Sequence, residues 1–359
     1  MNATADAGAA VDVIDVAIAG GGPAGLAAAI RCAQRGFHTV CFERKPGLPD
    51  KACGEGLMPA GARELQALGI QIDGAPFRGI RYVQENGRAI DAPFRDGNGM
   101  GVRRLELSQA LAAKARECGV ELRRGSVQSA KAGKSSIELQ TDTGPVAARL
   151  LIAADGLHSP LRRAAGLSLP ARGPERFGVR RHFAVKPWSD FVEVYWNRGC
   201  EAYLTPIGEK SLNVAFLCGK GARFDELLKL FPQLEERLRD PESEARGAGP
   251  LLQRVRRRYA ERLALVGDAA GYVDAITGQG LSLALKAATS LANVLPADLA
   301  QDLTPALKAY DRSLQAPWRR YALPARALVL LSRKPALRRL AIDAAAASGA
   351  FPALVALVK

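Results

Sequence analysis

"VAIAGGGPAGLAAAIRCAQR", residues 16–35, is the stretch on which the fold turns. Val16 to Ala19 form a short buried-strand run, three glycines and a proline make a tight turn, and an alanine-rich segment with helical character follows. A second apolar run, "HTVCFER" (38–44), places Glu43 at its end. Strand, turn, helix and strand in this order open a doubly wound α/β unit. Gly20-x-Gly22-x-x-Gly25, with Ala24 inside it, sits where the strand gives way to the helix. Glycines there let backbone amides approach a pyrophosphate at the helix N-terminus without a Cβ in the way. Glu43, roughly 20 residues on, stands where a carboxylate can accept ribose hydroxyls, so the unit predicts a bound dinucleotide.

Farther along, Pro59 to Leu68 reads as a short helix, and "IRYVQ" and "RAIDAPF" flank Glu85-Asn86-Gly87 as a hairpin. Leu105, Leu107, Leu111 and Ala115 mark a helix ending at Gly119. From Phe177 to Gly219 short strands separated by Pro, Gly and Asn predict an antiparallel sheet, followed by an amphipathic helix in "FDELLKLFPQLEERL". Beyond Pro305 the chain reads as helical, with Pro317, Pro324, Pro335 and Pro352 breaking it into pieces.

Two later stretches give a family resemblance. "LLIAADGLHSPLRR" (150–163) resembles the Asp-Gly motif of single-component FAD-dependent hydroxylases of the para-hydroxybenzoate hydroxylase type. Asp155, Gly156, Ser159 and Arg162 match, and Ala153 stands where that pattern has glycine. "LALVGDAAGYVDAITGQGLSLALKAA" (263–288) resembles the same superfamily's Gly-Asp motif, and Arg104, in Arg-x-x-Leu-x-x-x-Leu, matches its pyrophosphate arginine. The resemblance implies that Asp268 holds the ribityl chain of FAD and that Gly278-Gln279-Gly280, with Leu281, brings a helix N-terminus under the flavin ring. It also puts Arg44 and Val127 in the cofactor set. "DKACGEGLMP" (50–59) is similar to the cysteine-glycine segment of geranylgeranyl reductases. However, "EAYLTP" (201–206) keeps only the proline of their substrate-sheet motif, and Ala275 replaces a proline usual in both groups.

The fold this implies is a glutathione-reductase-like FAD-binding Rossmann domain (1–75, 98–172 and 253–300). It carries an inserted antiparallel-sheet substrate domain (76–97 and 173–252) and a C-terminal helical region (301–359). With only one dinucleotide fingerprint, NAD(P)H is expected as a transient reductant. The activity expected is hydroxylation of a hydrophobic aromatic or polyketide-like molecule with NAD(P)H and O2. Flavin-dependent reduction of isoprenoid double bonds, and a non-catalytic flavin- or lipid-binding role, are the alternatives. Cys53 and Glu55 either handle a proton over the flavin or belong to a glycine-rich turn. His182, one of three histidines, is either a base for the substrate or a structural strand residue.

The net charge of +14 comes with no interleaving of basic and aromatic residues, so no nucleic-acid partner is expected. Six cysteines without metal spacing fit buried thiols in a reducing compartment and no metal. No signal-peptide pattern and no apolar run of about 18 residues occur, so a cytoplasmic location is expected. The basic, apolar segment 320–359 is read as packed helices, a lid over a greasy cavity, or a peripheral membrane contact.

Overall fold

Parallel pairing of strands far apart in sequence organises the molecule. The structure, a computed structural model, describes residues 13–48, 50–197 and 199–340. The strand Ile14–Ala19 pairs in parallel with Thr39–Glu43 on one side and with Gly144–Ala153 on the other. Glu121–Arg124 extends the sheet beyond Thr39–Glu43, and Leu263–Leu265 extends it beyond Gly144–Ala153, both again in parallel. The central strands Ile14–Ala19, Thr39–Glu43 and Leu263–Leu265 and the end of Gly144–Ala153 are largely apolar and buried on both faces, while the edge strand Glu121–Arg124 is polar and half-exposed. Helix Pro23–Gln34 and helix Gly280–Val294 pack together on one face, with Leu26, Ile30, Leu285 and Leu291 almost completely buried. Cys32 and Cys41 are spent in this core, where burial pushes both thiols up to about 12.

A second sheet stands against this unit. Its strands run in the order Arg246–Ala248, Phe177–Phe183, Ser211–Cys218, Cys200–Gly208, Val192–Asn197, Gly79–Val83 and Ala89–Pro93. The hairpin around Asn86 therefore belongs to the same sheet as the strands a hundred residues later, through a pairing of Gly79–Val83 with Val192–Asn197. The strands between Phe177 and Cys218 pair antiparallel, as their pattern suggested, and Gly79–Val83 joins them in parallel. The sheet's two faces bury separate clusters, one toward helix Thr304–Ser332 and one under the short helices after Arg223.

Two helix expectations are corrected. The "FDELLKLFPQLEERL" segment forms two short helices, Phe224–Leu228 and Pro232–Glu235, because Pro232 has no N–H to continue the first. Thr304–Ser332 is instead one helix of 29 residues that runs through Pro317 and Pro324. Burial of Leu314, Tyr321, Ala322 and Ala325 against the core outweighs the hydrogen bonds lost at the two prolines. Residues 335–340 are helical again. Pro352 lies outside the described residues.

Candidate active site

The parallel strands all end at the same edge of the first sheet, and the motifs follow those ends. Gly20, Glu43, Ala154 and Val266 each lie at or just past a strand terminus, tied across by backbone bonds from Gly20 N–H to Phe42, Ala154 N–H to Ala19 and Val266 N–H to Ala153. The glycines there do different work. A Cβ on Gly20, whose φ is +112°, would lie 2.5 Å from the Ala154 carbonyl oxygen, and one on Gly25 would lie 1.9 Å from that of Gly20. These two glycines let helix Pro23–Gln34 close onto the turn. Gly22 is different: its nearest neighbour would be Arg104 Nη2 at 3.7 Å, so the space over it is open. Glu43 is held in place by the amides it accepts, Gly21 N–H at 2.9 Å and Lys45 N–H at 3.0 Å.

Arg162 joins the two later motifs. Its buried guanidinium donates to the carbonyls of Asp268, Ala269 and Leu157 and to Gln253, stapling residues 155–162 to the turn at Gly267–Ala270. That turn presses on the first helix, since a Cβ on Gly267 would meet Ala24 Cβ at 2.6 Å. Asp155 accepts the Leu161 N–H through Oδ2, while its Oδ1 is buried with no partner. Arg104 Nε is also buried with no partner. Burial pushes the Asp268 carboxyl up, against the pull of Arg104, Lys51 and Arg162. Past Asp268 the chain is pinned from the second sheet and the C-terminal helix. Arg176 pairs with Asp274 at 3.0 Å, Tyr203 Oη donates to the Ile276 carbonyl and Tyr321 Oη to that of Asp274. Helix Gly280–Val294 then begins with its N-terminus facing the same space.

Between the two sheets lies a cleft of about 690 Å³. One end is charged, lined by Arg44, Lys45, Lys51, Arg104, Asp155 and Asp268, with Gly156 alongside. The other end is apolar, with Met58, Ile80, Val192, Val194, Leu217 and Leu251 on its walls and Gly278, Gly280 and Leu281 at its floor. Tyr203 lines it, but Tyr195 and Phe216 turn their rings the other way: Tyr195 Oη donates to Glu193, and the Phe216 ring packs edge-on against Phe224 at 5.0 Å. Val127 lies in the core behind the sheet and does not line the cleft. Lys51 had no sequence signal of its own; partial burial lowers its ammonium pKa, with Arg104 adding to the shift and Glu43 and Asp268 opposing it.

The three residues considered for proton chemistry lie together but differ in what they face. Cys53 and Glu55 line the cleft; His182 does not. Glu55 takes a left-handed φ of +57° and is buried, with Oε1 accepting Arg104 N–H at 2.8 Å and Oε2 bonded to His182 Nε2 at 2.7 Å. His182 Nδ1 faces Arg180, which in turn pairs with Asp50. Glu55 thus fixes the start of helix Arg104–Glu117, and with it Arg104, from the second sheet. Asn213 holds the same loop by donating to the Cys53 carbonyl at 3.1 Å.

Residues 13–202 match the model of the FAD binding domain family. The chain belongs to that family. This flavoprotein is an FAD-dependent oxidoreductase of the glutathione-reductase-like fold with an inserted sheet domain. The open cradle over Gly22 and the unpartnered Arg104 Nε and Asp155 Oδ1 fit the cofactor's phosphates and polar chain. The flavoprotein is 30% identical over 339 residues to digeranylgeranylglycerophospholipid reductase 2 of Methanopyrus kandleri, with 83% of this chain and 81% of that one covered. It is 28% identical over 344 residues to the menaquinone reductase of Mycobacterium tuberculosis, covering 87% and 84%. Among solved structures, p-nitrophenol 4-monooxygenase from Pseudomonas putida superposes with a TM-score of 0.82 at 19% identity, covering 96% and 95%. A geranylgeranyl bacteriochlorophyll reductase-like protein from Thermoplasma acidophilum gives 0.76 at 22%, covering 90% and 88%. No helix among the described residues is long and apolar enough to cross a membrane.

Proposed function

We propose that this flavoprotein reduces a carbon–carbon double bond in a hydrophobic, isoprenoid-type molecule, with NAD(P)H as the transient reductant. The observation that carries the reading is which proton-carrying groups face the cleft. Cys53 lines it near Arg104 and Asp268, with a thiol that burial pushes up and so keeps protonated, whereas His182, the base considered for a phenol, is spent on Glu55. A protonated donor without a free base on the sheet wall suits double-bond reduction better than activation of a phenol. The similarity to two reductases over more than four-fifths of each chain supports the same choice, while the likeness to the monooxygenase, at 19% identity, speaks for the fold alone.

In this reading the amides around Gly22 and Gly25 and the side chain of Arg104 would hold the pyrophosphate, Glu43 the ribose and Asp268 the ribityl chain. The helix beginning at Gly280 would end against the flavin ring, its positive pole favouring negative charge there. Bound FAD supplies the two-electron relay from NAD(P)H to the double bond. The substrate carbon that does not receive hydride takes its proton from the Cys53 thiol, which is reprotonated from solvent. The sum is NAD(P)H plus a proton plus the alkene giving NAD(P)+ and the saturated chain. The apolar walls contribute about 25 cal/mol for each Å² of substrate they remove from water, and they exclude water from the reacting carbons.

Hydroxylation with O2, the activity expected from the motifs, is the second reading. The cleft's apolar end suits an aromatic ring, and its base would be His158, which lines the cleft with Nε2 on the Gly249 carbonyl at 3.1 Å. Polyprenyl and alkylphenol substrates added to the reduced protein with and without oxygen separate the two. The proposal expects substrate to reoxidise the flavin anaerobically and to gain two hydrogens. Reoxidation that requires oxygen, with a hydroxylated product, overturns it.

A further inference from the structure

Helix Thr304–Ser332 has an outer face that the described residues leave uncovered. Its inner face buries Leu314, Tyr321 and Ala325. On the outside, Leu323 and Leu330, one heptad apart on this helix, are 62% and 63% exposed, and Leu337 and Leu340 on the helical stretch 335–340 just beyond it are 49% and 67% exposed. Single exposed leucines are ordinary, but four within 18 residues are not. Among the described residues the other exposed large apolar side chains are Leu105 and Leu230, at 40% and 46%, and they lie on separate elements.

The charges around the leucines are all of one sign. Arg319, Arg320, Arg326, Arg333, Lys334 and Arg339 are exposed on the same stretch, and residues 312–340 contain no Asp or Glu. The face therefore offers its cations no carboxylate of its own. It is also tied to the second sheet. Arg338 is buried, pairing with Glu85 at 2.9 Å, and its guanidinium lies 4.9 Å from the centre of the Trp196 ring, which anchors the last described turn.

We propose that this face docks on an anionic lipid surface, with the leucines entering the acyl boundary and the arginines meeting lipid phosphates. Exposed leucines interleaved with cations, with no carboxylate in the stretch, match an interface of anionic headgroups above hydrocarbon. An acidic protein would satisfy the arginines, but only the hydrocarbon beneath lipid headgroups takes up the leucines between them as well. The inference does not depend on the reaction proposed above and is tested without turnover.

The test is co-sedimentation of the full-length, FAD-loaded protein with phosphatidylcholine vesicles that contain or lack phosphatidylglycerol. The expected result is binding to the anionic vesicles that weakens as salt rises and is absent from neutral ones. Leu330→Glu with Leu337→Glu should lower the partition at least roughly tenfold while flavin content and melting temperature stay as in the wild type. Should that pair unfold the helix, Arg326→Gln with Arg333→Gln, both exposed, should lower it several-fold. Wild-type protein that ignores anionic vesicles overturns the proposal, whether or not an acidic protein binds it. Folded variants that bind like the wild type also overturn it, because attachment would then lie elsewhere on the chain.

Discussion

Gly22 separates the cost to the fold from the cost to the ligand, which its neighbouring glycines cannot do. Its backbone is extended, at φ −77° and ψ 173°, and a Cβ would find only Arg104 Nη2 at 3.7 Å, an ordinary contact. Gly22→Ala removes a tolerated helix N-cap, which costs a few tenths to about 1 kcal/mol. It also narrows the unfolded ensemble, which returns about 0.4–1 kcal/mol. Apo stability should thus stay within about 1 kcal/mol of the wild type, and Gly22→Val should behave similarly in this extended conformation. Flavin binding should not survive as well. A side chain over the turn displaces the pyrophosphate from the amides, and each charge-assisted hydrogen bond lost is worth roughly 1.5–3 kcal/mol. At about 1.4 kcal/mol per decade, one such bond weakens FAD tenfold to a hundredfold. Gly25→Ala provides the contrast, because its Cβ would lie 1.9 Å from the Gly20 carbonyl oxygen and must push the strand from the helix. Thermal melting of the apo forms and flavin-fluorescence titration measure both quantities. Wild-type FAD affinity in Gly22→Val would refute the cradle, and a melting temperature as low as that of Gly25→Ala would refute the claim of open space.

Glu55 is expected to position Arg104 and not to transfer protons. Glu55→Ala should therefore leave the Arg104 N–H and His182 without their buried partner, at about 1–3 kcal/mol for each group left unsatisfied, and loosen FAD. Glu55→Gln, whose amide oxygen still accepts the Arg104 N–H, should restore flavin affinity and turnover; binding restored without turnover would make Glu55 a proton donor after all. Burial raises the Asp274 carboxyl to about 6, with Glu201 adding to the shift and Arg176 opposing it, so the folded protein holds that proton more tightly than the unfolded chain. Wild type should therefore gain stability relative to Asp274→Asn as pH falls from about 7 to about 4 in denaturant melts, and a difference that stays flat across that range would contradict the shift.

Much of the cofactor end was legible in the residues themselves, because its demands are local. A backbone that must turn sharply and approach a phosphate needs glycine at fixed offsets, and a buried strand needs an uninterrupted apolar run. Gly20, Gly22, Gly25 and Glu43 could be singled out from the strand–turn–helix–strand pattern, and Asp155 and Asp268 from the motifs of a family resemblance. Their convergence could not, since it follows from the parallel order that sets Leu263–Leu265 beside Gly144–Ala153 and so brings Asp268 to the edge held by Gly20. The Arg162 staple across 106 residues is of the same kind.

Proton chemistry was least legible, because a side chain's role depends on what is already bonded to it. Glu55 and His182 stand 127 residues apart and read as separate candidates, yet the packing of the second sheet against the loop makes them one buried pair. Facing was equally hidden. Alternation along a strand tells that Tyr195 and Trp196 point opposite ways, but only the neighbouring layers decide which of the two faces meets the cleft. The C-terminal helix shows the same limit in energetic terms. Pro317 and Pro324 each remove a backbone donor, a local penalty plain in the sequence, while the burial of Tyr321 and Ala325 that outweighs it exists only once the core has formed.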